Sequence, residues 1–150
     1  MYVGFIHMLF PNSKIVHCLR NPMDVCLSIY FHNFNQNHPY SDNLGNLGHY
    51  YNQYRYLMDF WHDRYGDMIL DVSYERLLTE PESTTRELLQ HLGLEWQDNC
   101  LKFYENRRTV STPSYAQVTQ PLYTSSRERW INYESHVDEL RLSLDDRFLI

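Results

Sequence analysis

An arginine and a serine eight positions later are the first residues of this chain whose types and spacing could bind an anion. Arg20 and Ser28 lie within residues 18–31, CLRNPMDVCLSIYF, where an apolar run ends and a helix start follows directly. A guanidinium is permanently charged and can donate two parallel hydrogen bonds to a phosphate. A serine hydroxyl adds one further donor. The pair therefore has the donors that a phosphate group requires.

The elements around Arg20 are expected to place it at a ligand-binding edge. Residues 14–18, KIVHC, are short, apolar and β-branched, which is the pattern of an interior parallel strand. Asn21 is a good N-cap, Pro22 suits the first helical position, and Asp24 falls in the first turn, where the helix dipole favours an anion. Ligands of α/β sheets bind beyond the carboxyl ends of strands, beside helix N-termini. Arg20 lies at that predicted edge.

The predicted helix from Pro22 to Phe34 limits where a phosphate could bind. Ser28 is about 9 Å along this helix from its start, so a phosphate that contacts both Arg20 and Ser28 must lie beside the helix. The core side would carry Met23, Leu27, Tyr30, Phe31 and Phe34, and a polar stripe would carry Asp24, Ser28 and His32. In the structural alternative, Arg20 pairs with Asp24 and Ser28 is a surface hydroxyl. Spacing alone favours that alternative.

The rest of the chain alternates strand and helix signals, which predicts an α/β fold. The apolar side chains of residues 1–10 predict a helix that is buried on several sides. We also expect this segment to lie inside the sequence of a larger protein. The further predictions are a helix over 43–65 ended by Gly66, a strand over 68–72, helices over 81–92, 98–106 and 130–144, and a long loop over 107–129. Two strands are too few for a complete parallel sheet, so others were missed or lie outside this chain.

Composition limits the classes of function. The chain has 150 residues, enough for one domain with a core, and its net charge of −6 disfavours broad nucleic-acid binding but not one small anion. Cys18, Cys26 and Cys100 are odd in number and lack CxxC spacing, which predicts a reducing compartment, most simply the cytoplasm. No apolar run approaches the roughly 20 residues that span a bilayer. The eight histidines match no metal-binding spacing, and no GxSxG elbow is present, so neither a metal site nor a serine hydrolase is predicted.

Several stretches resemble the sulfotransferase family, whose members use 3′-phosphoadenosine 5′-phosphosulfate (PAPS) as donor. Residues 11–31, PNSKIVHCLRNPMDVCLSIYF, are similar to the family's 3′-phosphate-binding segment, a strand followed by Arg-x(7)-Ser. In family order follow NLGHYYNQYRYLMDFW, VSYERLLTEPE, LLQHLGLEW and QPLYTSSRERWINYESH, so the likeness runs over residues 2–144. It is greatest to sulfotransferase domains found behind tetratricopeptide repeats, distant relatives of protein-tyrosine sulfotransferases. It implies a P-loop-like three-layer fold with a parallel sheet, of which this chain is the helix-rich C-terminal half.

The resemblance also implies which residues bind the donor. Arg20 and Ser28 would bind the 3′-phosphate, and Tyr74, in VSYERL, would contact the adenine. Ser114 and the loop over 117–129 would fold over the nucleotide, with Arg129 as the basic residue before a tryptophan. Tyrosine-sulfotransferase patterns carry a second arginine four residues after the serine, where this chain has a histidine, so no role is assigned there.

Without the family resemblance, the residue types alone favour structural roles for some of these positions. Tyr74 reads as a buried aromatic residue with a satisfied hydroxyl, and Trp130 as a core anchor. Arg107, Arg108, Arg127 and Arg129 flank one hydroxyl-rich loop, which suits either a lid over an anion or a solvated charged loop.

The resemblance implies sulfuryl transfer to a hydroxyl acceptor, whether a peptide tyrosine, a carbohydrate or a small alcohol. The family's glycine-rich 5′-phosphosulfate loop and its catalytic base precede the matched segment, and the five glycines here form no such loop. We therefore expect a fragment without catalytic residues, whose partners are the upstream half of the domain and tetratricopeptide repeats. The alternative is a non-catalytic nucleotide-binding or interaction module with an aromatic surface of Tyr50, Tyr51, Tyr54 and Tyr56.

Overall fold

A computed structural model describes residues 2–32, 38–105, 120–122 and 127–149. The helices and strands are α1 (Val3–Leu9), β1 (Ile15–Leu19), α2 (Pro22–Phe31), α3 (Leu44–Tyr65), β2 (Ile69–Ser73), α4 (Tyr74–Thr79), α5 (Pro81–Leu92) and α6 (Asp138–Ser143). Short 3-10 segments cover Gly66–Met68, Asp98–Cys100, Phe103–Glu105, Arg129–His136 and Asp146–Phe148. None of the described helices has both the length and the hydropathy needed to cross a bilayer.

The two strands pair in parallel, which confirms the α/β prediction. Leu19 lies opposite Ser73 at the end of the sheet, and His17 lies opposite Asp71 two residues earlier. Because both strands run in the same direction, the residues that follow them emerge at the same edge. Arg20, which follows β1, and Tyr74, which follows β2, are therefore neighbours.

The start of α2 forms as its sequence predicts. The Asn21 side-chain oxygen accepts hydrogen bonds from the backbone N–H groups of Met23, at 3.0 Å, and Asp24, at 3.2 Å. Pro22 occupies the first turn, where its missing N–H costs no helical hydrogen bond. The cap therefore sets the point at which the chain turns from Arg20 into the helix.

Two groups of buried side chains hold these elements together. The larger joins α2, α3 and α6 and is formed by Met23, Cys26, Leu27, Leu47, Tyr51, Val137, Leu140, Leu144 and Phe148. Leu140, at its centre, is fully buried. The smaller lies at the sheet and consists of Val3, Met58, Met68 and Ile69. The larger core thus forms one wall of the region around Arg20.

The prediction that the first helix is buried on several sides is wrong. Val3 is the only buried residue of α1, whereas Phe5 and Phe10 are 63% and 64% exposed. The helix packs through one face only, where Gly4 lies against Trp61. The apolar composition of α1 indicates that its surface could be buried. Which of its faces are buried depends on the neighbouring elements in the fold, and that cannot be read from composition.

The predicted faces of the second helix also need correction. Met23 and Leu27 are buried, but Tyr30 and Phe31 are 43% and 45% exposed. Asp24, assigned to the polar stripe outside the core side, is buried because the chain segment around residue 128 covers it. The helix ends at Phe31, and residue 34 lies outside the described residues.

The remaining boundaries agree with the sequence in part. Gly93 ends α5 with a φ of 69°, the left-handed conformation that glycine adopts most easily. Gly66 follows the end of α3 but keeps a right-handed helical backbone. The helix predicted over 98–106 is replaced, in its described part, by two 3-10 turns, and the one over 130–144 by a 3-10 segment followed by α6.

Replacing Gly48 by alanine should destabilise the fold by about 1 kcal/mol. A Cβ there would overlap Ser143 Oγ and lie 2.9 Å from Ser143 Cβ, where α3 packs closely on α6. Overpacking of this kind costs about 2 kcal/mol, more than the roughly 1 kcal/mol that alanine gains over glycine within a helix. The measurement is urea unfolding followed by circular dichroism.

Gly66→Ala is the matched control. Gly66 already has helical backbone angles, and a Cβ there would meet nothing within 4 Å among the described residues. The free energy of unfolding of the Gly66→Ala variant should stay constant or rise by up to about 1 kcal/mol. Equal effects at the two glycines would contradict the close α3–α6 contact.

Candidate anion-binding site

A cavity of about 330 Å³ opens at the edge of the sheet where both strands end. Its volume lies at the lower end of the range for small-molecule sites. The charged side chains that line it are three arginines and three carboxylates: Arg20, Arg55, Arg127, Asp24, Glu75 and Glu128. The formal charges of this set balance, so an anion would have to bind through directed N–H groups and not through a net positive field.

Two of the carboxylates serve the architecture of the site. Asp24, whose side chain is fully buried, accepts hydrogen bonds from the backbone N–H groups of Glu128, at 2.8 Å, and Trp130, at 3.0 Å. Glu75 accepts from the Asn21 backbone N–H at 2.8 Å and from the Ser73 hydroxyl at 3.1 Å. These bonds join α2 to the segment before α6 and the start of α2 to the end of β2.

Arg20 contacts two of the residues that the sequence singled out. Its guanidinium carbon lies 4.8 Å from the centre of the Tyr74 ring, and its Nη2 lies 3.8 Å from Asp24 Oδ2. The structural alternative of an Arg20–Asp24 pair is therefore present, although 3.8 Å is too long for a hydrogen bond. Arg20 also lines the cavity, so a bound anion would share the guanidinium with Asp24.

Arg55 is a site residue that the sequence reasoning missed. Its guanidinium lies 5.0 Å from the centre of the Phe148 ring, and its buried Nε makes no hydrogen bond to any residue that the structure describes. A buried N–H normally has an acceptor, and an anion in the cavity could supply one. Arg55 lies in the middle of the long helix α3, and no local motif marks it.

Neither Ser28, on α2, nor Arg129, in the segment before α6, lines the cavity. Asp24 holds the backbone of residues 128 and 130, and the Arg129 guanidinium lies 5.5 Å from the centre of the Phe31 ring. Ser28 falls four residues after Asp24 and three before Phe31, hence on the same helix face. The structure thus brings Arg20 to Tyr74, and Arg129 to Phe31 on the helix that carries Ser28.

The remaining predicted site residue cannot be placed. Ser114, together with Arg107 and Arg108, lies outside the described residues, as does most of the loop over 107–129. The roles assigned to Ser114 and to this loop stay predictions. Trp130 packs against the larger core, as expected of an anchoring side chain.

A second cavity of about 170 Å³ shares Arg20 and Tyr51 with the first. Its other lining residues are mainly apolar or aromatic, and they include Cys26 and Tyr54. Burial raises the pKa of the Cys26 thiol and of the Tyr54 phenol, each to about 12, so both groups are neutral at neutral pH. Tyr51 is only 5% exposed and is not part of the aromatic surface proposed for an interaction module.

In α/β domains, ligands bind beyond the carboxyl ends of parallel strands, and Arg20 lines a cavity at that edge here. A sequence model described as the sulfotransferase family matches residues 1–98, which include Arg20, Ser28 and Tyr74. A protein of Aquifex aeolicus (strain VF5), named only as uncharacterized, is 38% identical over 150 residues, which cover 98% of this chain and 20% of that protein. The chain belongs to the sulfotransferase family. It spans about a fifth of the length of the curated relative that it matches.

Proposed function

We propose that this chain forms the 3′-phosphate- and adenine-binding part of a sulfotransferase domain that uses PAPS as donor. The observation that carries the proposal is the position of Arg20, at the carboxyl end of β1 with its guanidinium over the Tyr74 ring. One nucleotide could then reach both residues, with its 3′-phosphate on Arg20 and its adenine beside Tyr74. The family match over residues 1–98 supports the transferase class but does not name the donor.

In the proposed reaction, a sulfuryl group moves from the donor to the hydroxyl of an acceptor. The bond between sulfur and the bridging 5′-phosphate oxygen breaks, a new bond forms between sulfur and the acceptor oxygen, and a base takes the acceptor's proton. The product nucleotide is 3′-phosphoadenosine 5′-phosphate (PAP). Binding the 3′-phosphate would fix the donor's orientation, and such positioning lowers the barrier to an in-line transfer.

We further propose that the parts of the site that act on the 5′-phosphosulfate lie in another segment of a longer protein. Five glycines at positions 4, 45, 48, 66 and 93 cannot form the tight glycine-rich loop that a 5′-phosphosulfate needs. The fraction of the relative that the chain covers supports the same proposal. Tetratricopeptide repeats are the partner domains that we propose. The three cysteines are free, which supports a reducing compartment such as the cytoplasm.

Around Arg20, we propose that Ser28 and Arg129 bind the far side of the 3′-phosphate, with Ser114 in the segment that covers the nucleotide. The Arg129 guanidinium lies over the ring of Phe31, three residues after Ser28 on α2, so we propose that it approaches the Ser28 hydroxyl when the ligand is bound. Asp24, which holds the backbone of that segment, would then control the approach of Arg129 to the ligand.

The test is calorimetric titration of the purified 150-residue chain with PAP and with adenosine 5′-diphosphate. The two nucleotides carry the same number of phosphates, but only PAP carries one at the 3′-position. If the 3′-phosphate contacts a charged hydrogen-bonding residue, PAP should bind at least about 30-fold more tightly, which corresponds to about 2 kcal/mol. Equal affinities would contradict the assignment of the donor, and no binding of PAP to the folded chain would contradict the half-site.

A further inference from the structure

A cluster of two histidines and one aspartate lies on the sheet, outside the arginine-lined cavity. His17 Nδ1 is 2.6 Å from Asp71 Oδ1, and His62 Nε2 is 2.9 Å from the same oxygen. The residues come from β1, α3 and β2, and one ligand atom from each lies within 4.8 Å of the other two. None of the three lines the cavity at Arg20. The cluster is therefore separate from the proposed nucleotide site.

The fold places these side chains together by pairing the strands in register. His17 and Asp71 are directly opposed on parallel strands, so both side chains project from the same face of the sheet. His62 reaches that face from α3. Spacing along the chain could not reveal the cluster, because 45 residues separate the two histidines in a pattern that matches no metal motif.

Tyr54 orients the most buried of the three ligands. Its hydroxyl is hydrogen-bonded to His17 Nε2, on the opposite side of the imidazole from Asp71. When the proton of the His17 ring is on Nε2, this N–H donates a hydrogen bond to the Tyr54 oxygen. The other ring nitrogen, Nδ1, then has a free lone pair that faces Asp71. Histidines that bind metals are held in this way, with the second ring nitrogen bonded to an outer partner.

We propose that His17, His62 and Asp71 form a site for a divalent first-row transition metal, with zinc as the best fit. Two imidazoles and one carboxylate are a ligand set that zinc accepts, and bonds of about 2.0–2.1 Å require donor atoms roughly 3.3 Å apart. The two measured separations would have to widen by about half an ångström. The side chains of His62 and Asp71 are 29% and 38% exposed, so they have room to move.

The exposure of the cluster also decides how the coordination would be completed. The three described ligands leave one position of a tetrahedral ion open, and it would face solvent past Asp71 and accept water. A bound ion would join β1, β2 and α3 at one point. Because β1 leads directly into Arg20, the ion would also hold the strand that carries this arginine. Metal binding should therefore raise the thermal midpoint of unfolding.

The experiment is calorimetric titration of the metal-free 150-residue chain with zinc chloride, with His62→Asn and Asp71→Asn beside it. We expect one zinc per chain and at least a tenfold loss of affinity in each variant. His49→Asn is the matched control, since it removes an exposed histidine from the same helix, and Cys18→Ser removes the exposed thiol next to His17. Both controls should bind zinc within twofold of the parent chain.

Cobalt provides a second readout that does not depend on affinity. The cobalt form should show visible d–d bands of nitrogen and oxygen ligands, with no thiolate charge-transfer band, and Asp71→Asn should change them.

Binding should weaken on acidification, because a protonated imidazole nitrogen cannot bind a metal. Absence of saturable binding, binding unchanged in both variants, or loss of binding in Cys18→Ser would each overturn the proposal. None of these outcomes depends on whether PAP binds.

Discussion

Replacing Arg20 by alanine should weaken PAP binding at least about 30-fold, or by about 2 kcal/mol. The variant removes a charged donor from the cavity and leaves the ligand's phosphate without its main partner. It also removes the guanidinium from the Tyr74 ring, so the aromatic ring would lose a neighbour as well. The measurement is the calorimetric titration described above, carried out on parent and variant under identical salt conditions.

Two controls distinguish the loss of a phosphate contact from a general loss of folding or of nucleotide binding. Adenosine 5′-diphosphate should bind the parent chain and the Arg20 variant alike, because it has no 3′-phosphate to lose. Arg86→Ala is a matched control, since Arg86 also lies over an aromatic ring, that of Trp96 at 3.9 Å, but far along the chain on α5. If Arg20→Ala binds PAP as tightly as Arg86→Ala does, Arg20 does not bind the 3′-phosphate.

Ser28 is expected to contribute less than Arg20. Ser28→Ala removes one neutral hydroxyl donor, which is worth about 1 kcal/mol, or about fivefold in affinity. Ser28 does not line the cavity, so its contribution requires the ligand to extend along α2 towards Arg129. An unchanged PAP affinity in Ser28→Ala would mean that the ligand stays within the cavity at Arg20.

Replacing Asp24 by alanine should lower the free energy of unfolding by about 3 kcal/mol. The Asp24 carboxylate is fully buried and accepts hydrogen bonds from the backbone N–H groups of Glu128 and Trp130. Alanine would leave both N–H groups without their acceptor, and each unsatisfied group costs about 1–3 kcal/mol. The measurement is urea unfolding followed by tryptophan fluorescence, to which Trp61, Trp96 and Trp130 all contribute.

Two further variants test whether Asp24 stabilises the fold by accepting the two backbone hydrogen bonds. Asp24→Asn keeps one oxygen as acceptor and should cost less than Asp24→Ala. Asp138→Ala removes an exposed first-turn acid from α6 and should cost at most about 1 kcal/mol, because only the helix-dipole interaction is lost. If Asp24→Ala is no more destabilising than Asp138→Ala, the carboxylate does not hold the segment around residue 128.

Much of the local structure follows from short-range chemistry that the sequence displays. Asn21 caps α2 because its side-chain oxygen reaches N–H groups two and three residues later, and Gly93 ends α5 because glycine adopts a positive φ without strain. These interactions involve residues close together in the chain, so they can be read without knowing the fold. The likeness of residues 11–31 and of the stretches that follow them to sulfotransferases predicted the family, and the family match over residues 1–98 confirms it.

The tertiary structure decided which of these residues meet, because contacts between distant parts of the chain leave no local trace. The sequence predicted Asp24 on a polar stripe outside the core, but a segment more than a hundred residues later buries it. Arg55, on α3, lines the same cavity as Arg20, which follows β1. His17 meets Asp71 because the two strands pair in register, and His62 joins them from α3. The sequence determined both strands, the helices α1, α2, α3 and α5, and the family. Strand pairing and helix packing determined the cavity and the histidine cluster.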